Sequence, residues 1–269
     1  MIRGSTELVA ILGSPIAQVK SPENFNSWFA AHDADLAMLA IDMSEPALAG
    51  FIASLRGWNN LRGCVVTVPY KQSLVPLLDE LSERAAALRS VNVIRREANG
   101  RLIGDNVDGA GFLKAARAHG FQPAGKQALV LGSGGVGAAI AYALAEAGVR
   151  RLTVADVRPA QAQALGDLLK RAFPALDIGY GVEDLSEVDL LVNASPVGMG
   201  DSGELPVPVT LLESLNSAAL VADVVTQPVI TPLLALARER GCCIQTGPEM
   251  ARAQMGNLGA FMGVMPVDA

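Results

Sequence analysis

The chain is poor in several residue types, and each shortage argues against a class of function. Aromatic residues make up only 4% of the 269 residues and the formal net charge is -6, so neither stacking platforms nor a basic surface is available for nucleic acid. No apolar run reaches the roughly 18 residues that cross a bilayer, which argues against a membrane partner. Three cysteines and two histidines, His32 and His119, predict no disulfide framework and no metal site, and we expect structural or surface roles for both histidines.

The N-terminal residues and the bulk composition predict a cytoplasmic protein of about two domains. Residues 1–7 include Arg3 and Glu7 where a secretory signal would need an apolar core, so we expect a cytoplasmic location. The length suggests two domains or one large one, and 51% apolar residues are enough to bury sizeable cores. Monomer and homodimer both stay open.

Short apolar runs alternate with helix-length amphipathic stretches, which is the pattern of an α/β fold. In the first half, strands are predicted at 8–12, 36–41 and 63–68 and helices at 22–31 and 46–55. The second half predicts a doubly wound, Rossmann-type unit. Its strands are expected at 128–131, 152–155, 190–193, 220–224 and 242–245, and its helices at 136–147, 159–172, 230–240 and 248–262.

A glycine-rich segment follows the first strand of this second unit and opens a helix. Residues 132–137 read GSGGVG, which satisfies the G-x-G-x-x-G spacing of dinucleotide sites in the context that the mechanism requires. Gly132 permits the tight turn, Gly134 lets the backbone approach a pyrophosphate, and Gly137 permits close helix–strand packing. We therefore expect this glycine turn to bind a dinucleotide through Gly132, Ser133, Gly134, Gly135, Val136 and Gly137.

The end of the next predicted strand carries the residue expected to choose the cofactor. Asp156 lies where a carboxylate accepts a hydrogen bond from a ribose 2′-hydroxyl and repels a 2′-phosphate, which favours NAD over NADP. Arg158 argues the other way, because it could pair with that phosphate. A further alternative is that Asp156 caps the helix that starts near Pro159.

Two charged residues lie beside predicted element ends. Lys71 follows a buried strand, behind Pro69, and Asp108 stands in a glycine-flanked turn before a helix. Taken alone, Lys71 is typical of a solvated surface lysine and Asp108 of a helix N-cap.

Eight motifs, distributed along the whole chain, change that interpretation. They are GSPIAQVKSP (13–22), VTVPYK (66–71), SVN (90–92), GDNVDG (104–109), the glycine turn, NASPVGM (193–199) with DVVTQP (223–228), and MARAQ (250–254). As a set they resemble the shikimate/quinate dehydrogenase family. The resemblance implies a substrate domain of residues 1–107 plus 247–269, a Rossmann nucleotide domain of residues 108–246, and an active site in the cleft between them.

The resemblance also implies a role for individual residues. Lys71 and Asp108 would form the catalytic pair. The substrate would be held by Ser21, Thr67, Asn92, Thr226 and Gln254. The cofactor would be bound by the glycine turn, Asp156, Arg158, Ser195, Pro196, Val224, Gly247 and Met250.

Some positions depart from the family pattern. Val19 stands where the family usually has a serine, Val65 where it has an asparagine, and Val107 where it has a threonine. Thr226 stands where a tyrosine is usual, and Asp156 where an asparagine begins the commoner NADP motif. These departures remove polar contacts at one end of the ligand, so the site is expected to bind shikimate less tightly or to prefer a relative with another substituent.

The expected function is hydride transfer between NAD, or less favourably NADP, and a secondary alcohol of shikimate, quinate or a related cyclic polyol acid, without a metal. A non-catalytic NAD-binding redox sensor is the alternative, although such a sensor has no need of Lys71, Asp108, Asn92 and Gln254 together. A folate-type dehydrogenase shares a similar plan, but its substrate motifs are not seen.

Overall fold

The computed structural model of the chain describes residues 2–269 and divides into two compact units. The first unit runs to Val107 and resumes at Met255–Ala269, and the second unit is Asp108–Gln254. The division after Gln254 falls inside the last helix, later than the boundary after residue 246 that the sequence suggests. The start of that helix packs within the second unit, since a Cβ on Gly111 would lie 2.8 Å from the Cβ of Gln254.

The sheet of the first unit has six strands in the order β2-β1-β3-β5-β6-β4. The strands are β1 (Glu7–Gly13), β2 (Leu36–Asp42), β3 (Leu61–Val66), β4 (Glu80–Leu81), β5 (Val93–Arg96) and β6 (Leu102–Asp105). Strand β1 pairs in parallel with β2 and β3, whereas β5 is antiparallel to β3 and β6. The parallel part agrees with the predicted strands, and β3 ends before Pro69, which has no N–H for the ladder.

Three helices complete the first unit, together with the end of the last helix. They are α1 (Ser21–Ala31), α2 (Leu48–Gly57) and α3 (Glu83–Leu88). Phe25 and Phe29 lie one turn apart on α1 and are both buried, as the spacing of an amphipathic helix requires. The helix predicted at 46–55 opens as a 3-10 turn, Glu45–Ala47, before α2 begins.

The sheet of the second unit has six strands, all parallel, in the order β12-β11-β10-β7-β8-β9. They are β7 (Gln127–Leu131), β8 (Arg151–Ala155), β9 (Asp177–Tyr180), β10 (Leu190–Asn193), β11 (Leu220–Asp223) and β12 (Cys243–Gln245). Central strands β7 and β10 are almost entirely buried because helices cover parallel sheets on both faces, which explains their unbroken apolar runs.

The helices of the second unit connect these strands. They are α4 (Asp108–Ala118), α5 (Gly135–Glu146), α6 (Pro159–Ala172), α7 (Val209–Leu212), α8 (Pro232–Glu239) and the first part of α9 (Gly247–Phe261). The predicted elements recur here with bounds shifted by at most two residues, and α6 has the bounds predicted. Within residues 2–269, no helix combines the length and apolar character needed to cross a membrane.

Candidate active site

The glycine turn joins β7 to α5, and its backbone depends on the glycines. Gly132 has a φ of +102°, and a Cβ added there would lie 2.8 Å from the carbonyl oxygen of Ala194. A Cβ on Gly137 would lie 2.0 Å from the carbonyl oxygen of Gly132, whereas nothing lies within 4 Å of the corresponding positions on Gly134 and Gly135. The turn is therefore packed tightly on the protein side and open on the other, which leaves backbone N–H groups at the start of α5 accessible to phosphates.

A cavity of about 510 Å³ lies beside this turn at the carboxyl ends of the strands. Its lining includes Gly132, Gly134, Asp156, Arg158, Ser195 and Pro196. Six of the residues expected to bind the cofactor thus surround one cavity, in the place where doubly wound sheets bind nucleotides. The residues present fit a dinucleotide, since the turn that would hold its phosphates has room only for glycine at two positions.

Asp156 is fixed at the end of β8 by two backbone hydrogen bonds. Its Oδ2 accepts from the N–H of Ser133 at 2.7 Å and its Oδ1 from the N–H of Arg158 at 2.9 Å. Burial opposes ionisation of this carboxyl, but the N–H groups of Arg158 and Ser133 and the Arg158 cation outweigh it and lower its pKa. The N-cap residue of α6 is Arg158, so the alternative interpretation of Asp156 as the N-cap is wrong.

Arg158 differs from Asp156 in its exposure. The Arg158 side chain is 69% exposed and that of Asp156 is 7% exposed, and Arg158 Nε lies 3.8 Å from Asp156 Oδ1. An ion pair this long and this exposed to solvent contributes little to the stability of the fold. Asp156 therefore presents a fixed, ionised carboxylate to the cavity, next to a solvent-exposed cation.

A buried polar network shapes the loops at the ends of β10 and β11. The Nδ2 group of Asn193 donates to both carboxylate oxygens of Asp223 at 3.1 Å, and Thr231 Oγ1 donates to Asp223 Oδ2 at 2.7 Å. Asn193 Oδ1 accepts from the hydroxyl of Ser195 at 2.6 Å. Burial raises the pKa of Asp223, although the N–H of Val225 and the side chains of Thr231 and Asn193 oppose that effect.

Of this network, only Ser195 was assigned a role from the sequence, although Asn193 and Asp223, two polar residues at the ends of two buried strands, were a usable signal. We expect Asp223→Asn to destabilise the fold by about 1–3 kcal/mol, because an amide nitrogen would replace an oxygen that accepts a hydrogen bond from Asn193. The Asn193 side chain cannot turn round, since its Oδ1 accepts from Ser195. Urea unfolding would measure the effect, and an unchanged midpoint would contradict it.

Two further expected cofactor residues lie at the same edge of the sheet. The N–H of Val224 donates to the carbonyl of Asn193 at 3.0 Å. A Cβ on Gly247 would lie 2.3 Å from the carbonyl oxygen of Val225, so only glycine permits α9 to begin this close to β11. Met250 is buried in the first turns of α9, and Thr226 is exposed in the loop after β11.

In the first unit, Thr67 and Lys71 follow the end of β3. The N–H of Thr67 donates to the carbonyl of Leu12 at 2.9 Å, and a Cβ on Gly13 would lie 2.5 Å from Thr67 Cγ2. Lys71 is half-buried, and its carbonyl accepts from the N–H of Val91 at 2.8 Å. This bond ties the turn of Lys71 to the segment that carries Asn92.

Asn92 is buried at the start of β5 and held on three sides by backbone. Its N–H donates to the carbonyl of Asp105 at 2.9 Å, its carbonyl accepts from Val66 at 2.7 Å, and its Oδ1 accepts from the N–H of Val107 at 2.8 Å.

Asp105 supports this arrangement through a partly buried ion pair with Arg84 that sequence reasoning missed. Its carboxylate receives Arg84 Nε at 2.8 Å and Nη2 at 2.5 Å, and it also accepts from the hydroxyl of Ser82. Its Oδ1 in addition accepts from the N–H of Asn106 at 2.7 Å. The bidentate geometry fixes the strand that leads to Val107.

In the second unit, Asp108 and Gln254 are brought together. Asp108 is the first residue of α4 and is buried, and Gln254 on α9 donates from Nε2 to Asp108 Oδ1. Close packing of α4 on α9 at Gly111 makes this contact possible. A cap alone does not explain why a glutamine from another helix contacts the carboxylate.

Ser21, the last of the expected substrate residues, and the two departures Val19 and Val65 lie in the first unit. Ser21 is the first residue of α1, Val19 lies in the loop before it, and both are half-buried. Val65 is 5% exposed within β3.

Among residues 2–269, histidine, cysteine and acidic side chains form no group of three or more that could hold a metal ion.

The chain is similar to known proteins over almost its whole length. Residues 11–94 match the family model described as the shikimate dehydrogenase substrate binding domain. A shikimate dehydrogenase (NADP+) of Moorella thermoacetica is 38% identical over 256 residues, which cover 93% of this chain and 85% of that protein.

Solved structures agree with that similarity. Shikimate 5-dehydrogenase of Listeria monocytogenes, in complex with shikimate and NAD, superposes with a TM-score of 0.90 at 29% identity, covering 99% of this chain and 96% of that one. Quinate dehydrogenase of Corynebacterium glutamicum, in complex with NAD, has a TM-score of 0.86 at 32% identity and coverages of 96% and 94%. The predicted fold class, a Rossmann nucleotide domain with an α/β substrate domain, is confirmed. The chain belongs to the shikimate dehydrogenase family.

Proposed function

We propose that this chain is an NAD-preferring dehydrogenase that acts on a secondary alcohol of shikimate, quinate or a related cyclic polyol acid. The observation that carries the cofactor preference is the fixed, ionised carboxylate of Asp156 in the cavity beside the glycine turn. The Moorella relative is named for NADP+, whereas the Listeria and Corynebacterium structures contain NAD. A non-catalytic sensor has no support, since these relatives are dehydrogenases.

The glycine turn and Asp156 have separate tasks in this proposal. The turn holds the pyrophosphate with backbone N–H groups, which NAD and NADP share. Each carboxylate oxygen of Asp156 accepts one backbone hydrogen bond and keeps acceptor capacity for a ribose hydroxyl. A 2′-phosphate would instead meet a negative charge. The nicotinamide, when bound, supplies the hydride acceptor or donor.

Lys71 and Asp108 carry the proton chemistry in this proposal. When the alcohol is oxidised, its hydroxyl proton passes to the Lys71 amine as the hydride leaves carbon, and in the reverse direction cationic Lys71 donates to the developing alkoxide. Asp108, held by Gln254, orients the hydroxyl. Thr67, Asn92, Gln254, Ser21 and Thr226 are proposed to hold the other polar groups of the substrate.

The direct test is the absorbance of reduced nicotinamide during incubation with a panel of cyclic polyol acids and each cofactor. Formation of the reduced cofactor with shikimate, quinate or a relative supports the proposal. Cofactor binding without turnover of any member of the panel would favour the sensor.

We expect Asp108→Asn to lower kcat by about 10–100-fold with little loss of stability. Asparagine caps a helix start about as well as aspartate, and its Oδ1 can still accept from Gln254, so the fold should persist. The loss of charge should misorient the reacting hydroxyl. Normal kcat in this variant would mean that Asp108 is only a cap.

We also expect shikimate to bind weakly to the natural chain. Val19→Ser and Thr226→Tyr, made separately, should each lower KM for shikimate, because a regained hydrogen bond to a charged carboxylate contributes about 1.5–3 kcal/mol at best. Steady-state kinetics with saturating cofactor measures the effect, and the KM for the cofactor serves as the control. An unchanged KM for shikimate would mean that other groups hold the carboxylate.

A further inference from the structure

Three side chains form a thiol cluster in the second unit, outside the cofactor cavity. Cys243 Sγ lies 3.7 Å from His119 Nδ1, and His119 Nε2 lies 3.2 Å from Glu249 Oε1. Cys243 is exposed at the start of β12, His119 follows α4, and Glu249 is in the first turn of α9. Separations of 124 and 130 residues hid this cluster from sequence reasoning, which expected only a structural or surface role for His119.

Cys243 lies at the amino end of its strand, whereas the cofactor cavity lies beside the carboxyl ends of the strands. Cys243 pairs with Leu220, so both lie at the amino ends of their parallel strands. The glycine turn, in contrast, follows the carboxyl end of β7. Cys243, His119 and Glu249 are not among the residues that line that cavity.

Glu249 fixes which nitrogen of His119 carries the proton. Glu249 Oε2 accepts from the N–H and from the hydroxyl of Thr246, each at 2.7 Å. Partial burial opposes ionisation of this carboxyl, but the hydrogen bonds from Thr246 and the proximity of His119 outweigh it and lower its pKa. An ionised carboxylate only accepts, so Nε2 of His119 donates to it, and the Nδ1 of neutral His119 faces the thiol as an acceptor.

We propose that Cys243 is a modification site that reacts with small disulfides, with His119 as the base and Glu249 as the residue that orients it. The thiol proton passes to His119 Nδ1 while the Cys243 sulfur attacks one sulfur of the disulfide. The bond between the two reagent sulfurs breaks, and the leaving thiolate takes the proton from His119. Cys243 is oxidised to a mixed disulfide, and one sulfur of the reagent is reduced to a thiol.

The other two cysteines are suited to serve as internal controls. Burial raises the pKa of the Cys64 thiol to about 12, and Cys242 is also buried with a raised pKa. Neither is expected to react while the protein is folded, because the thiolate is the nucleophile.

The test is the rate at which folded protein forms an adduct with oxidised glutathione at neutral pH, followed by intact mass and by peptide mapping. We expect a single adduct, on Cys243. An ordinary thiol is only a few per cent ionised at this pH, so His119→Gln should slow the reaction by about tenfold, and Glu249→Gln by a smaller factor. Cys242→Ser, the matched control, should leave the rate unchanged.

A second measurement does not depend on any variant. The rate constant of Cys243 in the natural chain is compared with that of N-acetylcysteine amide at the same pH, and a value about tenfold higher is expected. Equal rate constants, first reaction at Cys64 or Cys242, or an unchanged rate in His119→Gln would each overturn the proposal. Unchanged midpoints of urea unfolding in both cluster variants verify that they are folded.

Discussion

Lys71→Ala is expected to lower kcat by about 10²–10⁴-fold while NAD binds nearly as in the natural chain, because the variant loses one general acid–base group. Lys71 belongs to the first unit and the glycine turn to the second, so the substitution does not touch the residues that hold the cofactor. Steady-state rates give kcat, and titration calorimetry gives the Kd for NAD.

Two further variants separate proton transfer from charge. Lys71→Arg keeps the positive charge but cannot exchange a proton at neutral pH, so it should also be nearly inactive. Lys126→Ala removes a surface lysine that pairs with Asp189, and it should keep full activity. A Lys71→Ala enzyme with more than about a tenth of the natural kcat would remove Lys71 from the mechanism.

Asp156→Asn is expected to move the cofactor preference toward NADP. At 4 Å, an ionised carboxylate and a phosphate charge repel by about 1 kcal/mol per unit charge in water and about 4 kcal/mol at an intermediate dielectric. In the proposed function, the natural Asp156 also accepts a charge-assisted hydrogen bond from the 2′-hydroxyl of NAD. In the variant the repulsion is lost while the exposed Arg158 cation remains beside residue 156.

The ratio of kcat/KM for the two cofactors is the measurement of this effect. Asparagine can keep only one of the hydrogen bonds from Ser133 and Arg158 through its oxygen, so the turn could loosen. That damage lowers kcat/KM for both cofactors, whereas the ratio reports the 2′ interaction alone. A ratio that is the same in the variant and the natural chain would mean that Asp156 serves only to hold the turn.

Most of the second unit was predictable because most of its elements carry a complete local signal. Buried parallel strands read as short apolar runs, and Gly148 ends the helix before β8 with a φ of +82°. The glycine turn was recognisable for the same reason, since its steric requirements allow no other residue at Gly132 and Gly137. Pattern and structure therefore coincide where the backbone itself imposes the residue type.

The segment between 80 and 105 was not predictable in this way. Strands β4, β5 and β6 are two to four residues long, and α3 has only six residues, so none shows a period. Strand β9 was missed because it is a short edge strand whose residues are partly exposed. These elements are stabilised by contacts such as that of Arg84 with Asp105, which are distant in sequence.

The same distinction, between local motifs and contacts distant in sequence, applies to the residues of the site. The family motifs identify Lys71, Asn92 and Asp108, but not the groups that hold them. The pairing of Gln254 with Asp108 depends on how α9 packs on α4, and the network of Asn193 with Asp223 depends on the order of strands in the sheet. Such partners are set by the tertiary structure, so the sequence alone does not identify them.

The most direct test of the central claim is kcat/KM of the natural chain for NAD and for NADP, with shikimate and with quinate as substrates. The account predicts turnover of at least one of these acids, with NAD favoured by at least about tenfold, or about 1.4 kcal/mol. Equal efficiency with NADP would contradict the role given to Asp156, and absence of turnover across the wider panel of cyclic polyol acids would contradict the proposed substrate class.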